Sequence, residues 1–482
     1  MLRHIFLLAG AAATLCASAA TIDCTPGNAE ALLGTAVGDK SLTLTGSADA
    51  NDLLFIGSKM SALTDLDLSG LTIVASNGPK GNFPAATIPA GAFAGSGITT
   101  LALPEGVVVG DCAFAGTAIT TLVLPAKATL GTGSFSACPS LTSVTIGAST
   151  TIGDHAFASC KALKNVNLGG ATVIADYAFA ACEALATVEG TQSLTAIGAD
   201  AFNGCDDLTS FTFGPALKTI GDGAFRHSGI ETADLKNTAV TSLGEWAFAD
   251  CRALTGVEFP ASCTVLGKGV FFDCPQLALI SIPGNCEAIP AYAFKDDSSI
   301  LNLPIADNVR TIGEYSLKGI GTAKLILPSS LDSIGSNAME DVTVLNRIDA
   351  SRLEAVPALG DDVWAGVEQS GVVVDVDSAL VDDFKNATQW QDFTINPVNI
   401  VSVITTPDET ASLRGAFTAD RLLVESTVAV TELSVYDLSG MLLLHQTPDS
   451  CSIAVPADNF SNIIIVNCRL DGGATATLKL AR

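Results

Sequence analysis

Apolar residues return along this chain with a period of just over twenty. An Ala-Phe pair, preceded in most units by Ile-Gly and an acidic residue, places phenylalanine at 93, 114, 135, 157, 179, 202, 225, 248, 271 and 294. Leu317 and Met339 continue the series at the same spacing, so twelve units are counted with gaps of 21 to 23 residues. A repeat of that length is one supersecondary unit that cannot bury its own apolar edge, and stacking on copies of itself solves the problem.

One unit, from Ile152, reads IGDHAFASCKALKNVNL. Gly153 is expected to permit a turn that other residues resist, and Asp154 to cap a short helical turn carrying Ala156 and an inward Phe157. After Cys160, apolar Leu163, Val166 and Leu168 alternate with Asn165 and Asn167, the period of a strand with one buried face. Pro125, Pro260 and Pro283 close units just after the strand. Units with Cys three residues after the aromatic place the first strand apolar six residues on. Three without it, at Ile98, Ile119 and Ile230, place it at five, so the loop has two lengths. The predicted fold is a β-rich solenoid, a parallel sheet with short helical turns, about 55–60 Å long for twelve coils at about 4.8 Å each, followed by a small β-sandwich.

Composition narrows the function. Of 482 residues only 15% are charged, against about 25% in ordinary domains, so the surface is mostly small and neutral-polar. The net charge is -26 with no Lys/Arg cluster, which offers phosphate backbones nothing to neutralise, and no nucleic-acid partner is expected. Met1-Leu2-Arg3-His4, an apolar run to Leu15 and Ala17-Ser18-Ala19 read as a secretory signal over residues 1–20. Leu15 before Cys16 does not suit a lipoprotein cleavage site, where a small residue is wanted. No later stretch has the 18 apolar residues of a membrane span, so no transmembrane segment is expected.

Catalytic chemistry lacks its parts. The four histidines, His4, His155, His227 and His445, fall in different coils or domains and form no HExxH pattern. Gly131-Thr132-Gly133 lacks the third glycine of a dinucleotide site. No enzyme activity, metal or cofactor is expected. Cys138, Cys160, Cys182, Cys205, Cys251 and Cys274 share one repeat position, so their side chains point the same way on successive coils. Parallel Cβ vectors about 5 Å apart suit packing better than bridging, which wants about 3.8 Å. Cys451 and Cys468, on strands expected to be neighbours, are the candidate disulfide.

The IGxxAFxxCxxLxxVxLP units resemble the BspA-like leucine-rich repeats of bacterial surface proteins, over residues 88–345. Upstream, Leu63-Thr64-Asp65-Leu66-Asp67-Leu68-Ser69 looks like the coil that opens such arrays, within a cap region at 21–87. Downstream, 346–397, with Trp364, Phe384, Trp390 and Phe393, looks like the aromatic segment that closes them. An open solenoid end must be covered whatever the family. Residues 398–482 change to short alternating strands. Leu433 to Gly440 and Met441 to His445 read as a hairpin with a glycine turn. This stretch resembles the C-terminal sorting domain of type IX secretion; an Ig-like accessory domain is the alternative. Met441 stands where a basic residue is usual, Ser461-Asn462 replace an expected glycine, and Lys479 fits.

The resemblance implies a secreted or outer-membrane surface protein of a Gram-negative bacterium, a monomer, adhering to host or bacterial proteins or glycans. The strand positions flanking the buried apolars face outward, and they supply the candidate binding residues Asn165, Asn167, Thr187, Glu189, Ser210, Thr212, Thr232, Asp234 and Glu258. A spacer or surface coat without a ligand is the competing expectation.

Overall fold

The computed structural model describes residues 19–78, 81–400, 413–417, 421–437, 442–456, 463–471 and 475–481. The signal segment before Ala19, Cys16 within it, Met441 and Ser461-Asn462 lie outside the described residues. Two compact units are present, Met1–Ser262 and Cys263–Arg482.

The first unit opens with the strands Ala19–Cys24, Ser41–Asp49, Asp65–Val74 and Thr100–Ala102, parallel and in that order. Helix Ala50–Lys59 leaves the second of them through a capping box: Asp49 accepts the N–H groups of Asn51 and Asp52, and Asp52 accepts that of Asp49. Asp52, almost fully buried, also takes the N–H groups of Gly27 and Ala29, pinning the short helix Ala29–Leu33 over the first strand.

Each later coil has three sides. The predicted strand forms the first ladder, in which Thr121–Val123, Ser143–Thr145, Asn165–Asn167 and Thr187–Glu189 pair residue for residue in parallel. Threonines just before it clamp coils together, Thr142 Oγ1 donating to Thr120 O at 3.0 Å and Thr255 Oγ1 to Glu231 O at 2.9 Å. A second ladder of two-residue strands, not anticipated from the sequence, joins Val173–Ile174, Ala196–Ile197, Thr219–Ile220 and Ser242–Leu243. Its inner residues Ile174, Ile197, Ile220 and Leu243 are buried.

The third side carries the Ala-Phe pair, and here the expected helical turn is absent. His155 and Ser159 are left-handed, at φ 56° and 61°. The N–H groups of His155, Phe157 and Ser159 donate to the next coil, at Asp176, Ala178 and Ala180 O, over 2.7–2.9 Å. Those of Ala156, Ala158 and Cys160 close turns within their own coil. A helix would direct every N–H along one coil; alternation lets the corner share in coil-to-coil pairing, and so leaves no buried donor unmet. The acidic residue is accordingly no helix cap. Asp111, Asp176 and Asp222 accept the N–H groups of Thr132, Ala199 and Glu245 in the following coil, at 2.7–2.8 Å.

Gly153 also serves a different purpose from the expected turn. Its φ is not left-handed, but a Cβ there would lie 2.3 Å from Leu130 O in the coil below. Close approach of stacked backbones, not backbone freedom, requires glycine.

The phenylalanines form a continuous stack from Phe93 to Phe248, with neighbouring centroids 5.2–5.8 Å apart and planes within 16°. Both loop lengths deliver a buried apolar: Ile98, Ile119 and Ile230 are as inaccessible as Leu163 and Leu185.

In the second unit Phe271 stacks on Phe294 at 5.7 Å, and Leu317 and Met339 are fully buried at equivalent positions. Strands Lys324–Ile326, Arg347–Ala350, Val373–Asp377 and Thr394–Ile400 continue a parallel ladder. Asp375, buried between them, receives two hydrogen bonds from Arg347 at 2.6 and 3.0 Å and one from Asn396 at 2.7 Å. Trp364, Phe384, Trp390 and Phe393 close into one cluster, with edge-on contacts of 5.1–5.2 Å. Pairing turns antiparallel at Leu413–Phe417.

Beyond lies the β-sandwich. The long strand Arg421–Asp437 belongs to two leaves: its first half pairs with Leu413–Phe417 and Ser450–Pro456, its second with Leu442–Gln446 and Ile463–Leu470. Register shifts between Glu425 and Glu432 let one strand serve both leaves. Leu422, Val424, Leu433, Val435, Ile453, Val455 and Val466 fill the space between.

Candidate interaction faces

The outward rows of the first ladder are those the alternation predicts. Asn165, Asn167, Thr187 and Glu189 are exposed on adjacent strands in strict register, as are Thr232, Asp234 and Glu258 on the pair Thr232–Asp234 and Gly256–Glu258. Ser210 and Thr212 are exposed too, but their coil forms no strand, so the rows are interrupted. In this coil Phe211 and Phe213 replace the usual aliphatics. Phe211 wedges edge-on against Phe202 and Phe225, at 5.4 and 5.2 Å.

Several candidates already have local duties. Asn167 Oδ1 accepts from Gly169 N at 2.9 Å and Asp234 Oδ1 from Lys236 N at 3.1 Å, each fixing the chain as it leaves the strand. Glu258 lies 3.6 Å from Lys236 Nζ, an exposed pair that contributes little stability.

The repeated cysteines are buried and do more than fill space. The thiols of Cys138, Cys160, Cys182, Cys205 and Cys251 donate to the carbonyls of Phe114, Phe135, Phe157, Phe179 and Phe225, at 3.0–3.3 Å. Thr117, in a coil without this cysteine, gives its hydroxyl to Phe114 O at 2.9 Å. Burial pushes the Cys182 and Cys251 thiols up to about 12, so they stay protonated and unreactive at neutral pH. Asp297 takes the same column in the second unit. It accepts Cys274 N–H through Oδ1 at 2.6 Å, and its buried Oδ2 has no partner among the described residues. Burial holds that carboxyl well above the usual carboxylate range.

The structure does not join Cys451 to Cys468. Their strands lie on opposite sides of Arg421–Asp437, since Val430 pairs with both Ser450 and Leu470. Two strand spacings amount to about 9–10 Å, beyond the roughly 4.4–6.8 Å between Cα atoms that a disulfide spans. Cys451 is exposed and Cys468 buried, both as free thiols. The expectation of neighbouring strands failed because one long strand separates them.

One column, exposed at His155 and Tyr177 and half-buried at Trp246, Tyr292 and Tyr315, escaped the sequence reading. The residue before each Ala-Phe pair sits at the left-handed corner, and this position holds His155, Tyr177, Trp246, Tyr292 and Tyr315. The chain has four tyrosines, and three of them are here; sorting aromatics by repeat position would have found it.

Among the described residues no group of three or more His, Cys, Asp or Glu is placed to hold a metal ion, and no helix is long and apolar enough to cross a membrane.

A stack of coils joined by parallel strand ladders, with buried leucines and a phenylalanine spine, defines a leucine-rich-repeat solenoid. The BspA-type leucine-rich repeat region matches in six copies over residues 82–186, 172–301 and 287–359, more than half of the chain, and the chain belongs to that family. No curated protein matches. Among solved structures, the chain is similar to a leucine-rich repeat protein from Bacteroides ovatus, with 19% identity, 66% of this chain and 88% of that one covered, and TM-score 0.47. It is also similar to a leucine-rich cell surface protein from Faecalibacterium prausnitzii, at 19% identity over 64% and 81% of the two chains, TM-score 0.34. A third likeness is to the pneumococcal vaccine antigen PcpA, at 17% identity over 74% and 85%, TM-score 0.29.

Proposed function

We propose that this chain is a non-catalytic, exported repeat protein of a Gram-negative bacterium, secreted or held at the outer surface, that adheres to host or bacterial proteins or glycans. The observation that carries the reading is the register of the first ladder. Ser143, Asn165 and Thr187 form one outward row, and Thr145, Asn167 and Glu189 the next. Flat rows of donors and acceptors repeated about every 4.8 Å suit an extended ligand. Membership of a repeat family of bacterial surface proteins supports the same reading.

Replacing Glu189, Asp234 and Glu258 together by lysine tests it. Adhesion to immobilised matrix proteins and to partner bacteria should fall; unchanged adhesion would favour a stiff spacer. That second reading draws on Asn167 and Asp234, whose side chains serve the fold. Export by a type IX route, with residues 398–482 as the sorting domain, is tested by surface proteomics of intact cells. A mature product lacking that segment supports it, and a product retaining it supports an accessory domain.

A further inference from the structure

The left-handed corner presents a second outward column with an unusual choice of residues. Gly91, Gly133, Gly223 and Gly269 occupy it in four coils at φ 60–65°, a conformation glycine adopts without cost. His155, Tyr177, Trp246, Tyr292 and Tyr315 adopt φ of 52–62° at the same position, where a bulky side chain is an outlier. Coil packing does not call for them, because glycine performs the same turn elsewhere and the Tyr177 side chain is directed outward, 37% exposed. His155 and Tyr177 are the exposed pair of this column, while Trp246, Tyr292 and Tyr315 are half-buried, and left-handed positions filled by exposed rings on adjacent coils point to use of the surface there.

The second unit illustrates what such rings accept. Tyr292 and Tyr315 stack at 5.2 Å, and the ammonium groups of Lys268 and Lys318 lie 5.1 and 5.9 Å from their centroids. In the first unit the rings of His155 and Tyr177 stack at 4.5 Å in an acidic setting. Asp154 and Asp176 are exposed beside them, and Asp200 accepts from the Tyr177 hydroxyl, a bond that raises the phenol's pKa. An aromatic face flanked by carboxylates attracts cations twice over, through the ring quadrupole and through charge.

We infer that the corner column around His155 and Tyr177 docks a lysine- or arginine-bearing polypeptide segment, with cationic side chains over the rings and against Asp154, Asp176 and Asp200. This goes beyond the binding function proposed above, adding a second docking surface at the corner to the strand face. Charge complementarity selects the occupant. The chain carries -26 overall, which repels anionic glycans and nucleic acid, and a neutral sugar would leave the carboxylates' charge unused.

The test is fluorescence anisotropy of a labelled deca-lysine peptide titrated with the full chain at about 0.15 M salt, where diffuse attraction is screened beyond about 8 Å. Tyr177→Asn, which tolerates the left-handed backbone, should weaken binding about three- to thirtyfold. Tyr177→Phe, which keeps the ring and loses only the hydroxyl, should stay within about twofold. Neutralising the exposed Glu30 on the short helix Ala29–Leu33, which belongs to neither proposed face, should change little. Equal affinity of Tyr177→Asn and the parent overturns the proposal, as does a Tyr177→Phe loss matching that of Tyr177→Asn. A neutral-glycan array signal that vanishes in Tyr177→Asn while peptide binding does not also overturns it, in favour of a sugar. If the peptide is indifferent to Tyr177 while the lysine substitutions on the strand face abolish adhesion, the corner assignment falls and the adhesive function stands.

Discussion

Removing one ring from the phenylalanine spine tests the stacking mechanism directly. Phe202 is fully buried, parallel to Phe179 at 5.6 Å and to Phe225 at 5.3 Å, with Phe211 edge-on at 5.4 Å. Phe202→Ala leaves a cavity between rings that backbone pairing above and below prevents from closing, and should cost about 3–5 kcal/mol. Because each coil touches only its neighbours, two interfaces weaken together, so the loss should spread to the adjoining coils. Phe93→Ala is the control, since Phe93 stacks on Phe114 alone among the phenylalanines of the spine and should cost less. Urea unfolding gives the free energies, and hydrogen exchange by mass spectrometry shows where protection is lost. Loss below about 1 kcal/mol at Phe202, or an equal loss at Phe93, would refute the argument that stacked rings carry coil-to-coil cohesion.

Glycines should divide by what surrounds them. Gly153→Ala, whose Cβ would meet Leu130 O at 2.3 Å, should lower the melting temperature, whereas Gly284→Ala, with nothing within 4 Å, should be neutral or stabilising by about 0.4–1 kcal/mol. Native-state alkylation at pH 8 should label Cys112 and Cys451, which are exposed, and spare Cys182 and Cys251, which label only after unfolding; peptide mass mapping reads the difference. Asp297 has a raised pKa in the fold, so between about pH 4, where the unfolded chain releases this proton, and its raised folded value, stability should fall as pH rises. Asp297→Asn should therefore be more stable than the parent at pH 7 and lose that advantage below about pH 4, as measured by thermal unfolding across pH.

The period of the chain was sufficient to establish the solenoid, because a residue that returns every 21 to 23 positions in a regular array must stack on its own copy. Burial of Phe157, Leu163, Val166 and Leu168, and exposure of Asn165 and Asn167, followed from alternation alone. Tertiary packing decided how the coil turns its corner. Left-handed geometry at His155 and Ser159 is not what local propensity favours; it is held by N–H groups donating to the next coil, a partner more than twenty residues away. The same distance in sequence hid the second ladder, whose strands are two residues long and gain their hydrogen bonds only from neighbours. Gly153 shows the difference most plainly. Its presence was read from the sequence, but the reason for it lies in the carbonyl of Leu130 directly below, which only the stacked structure brings near.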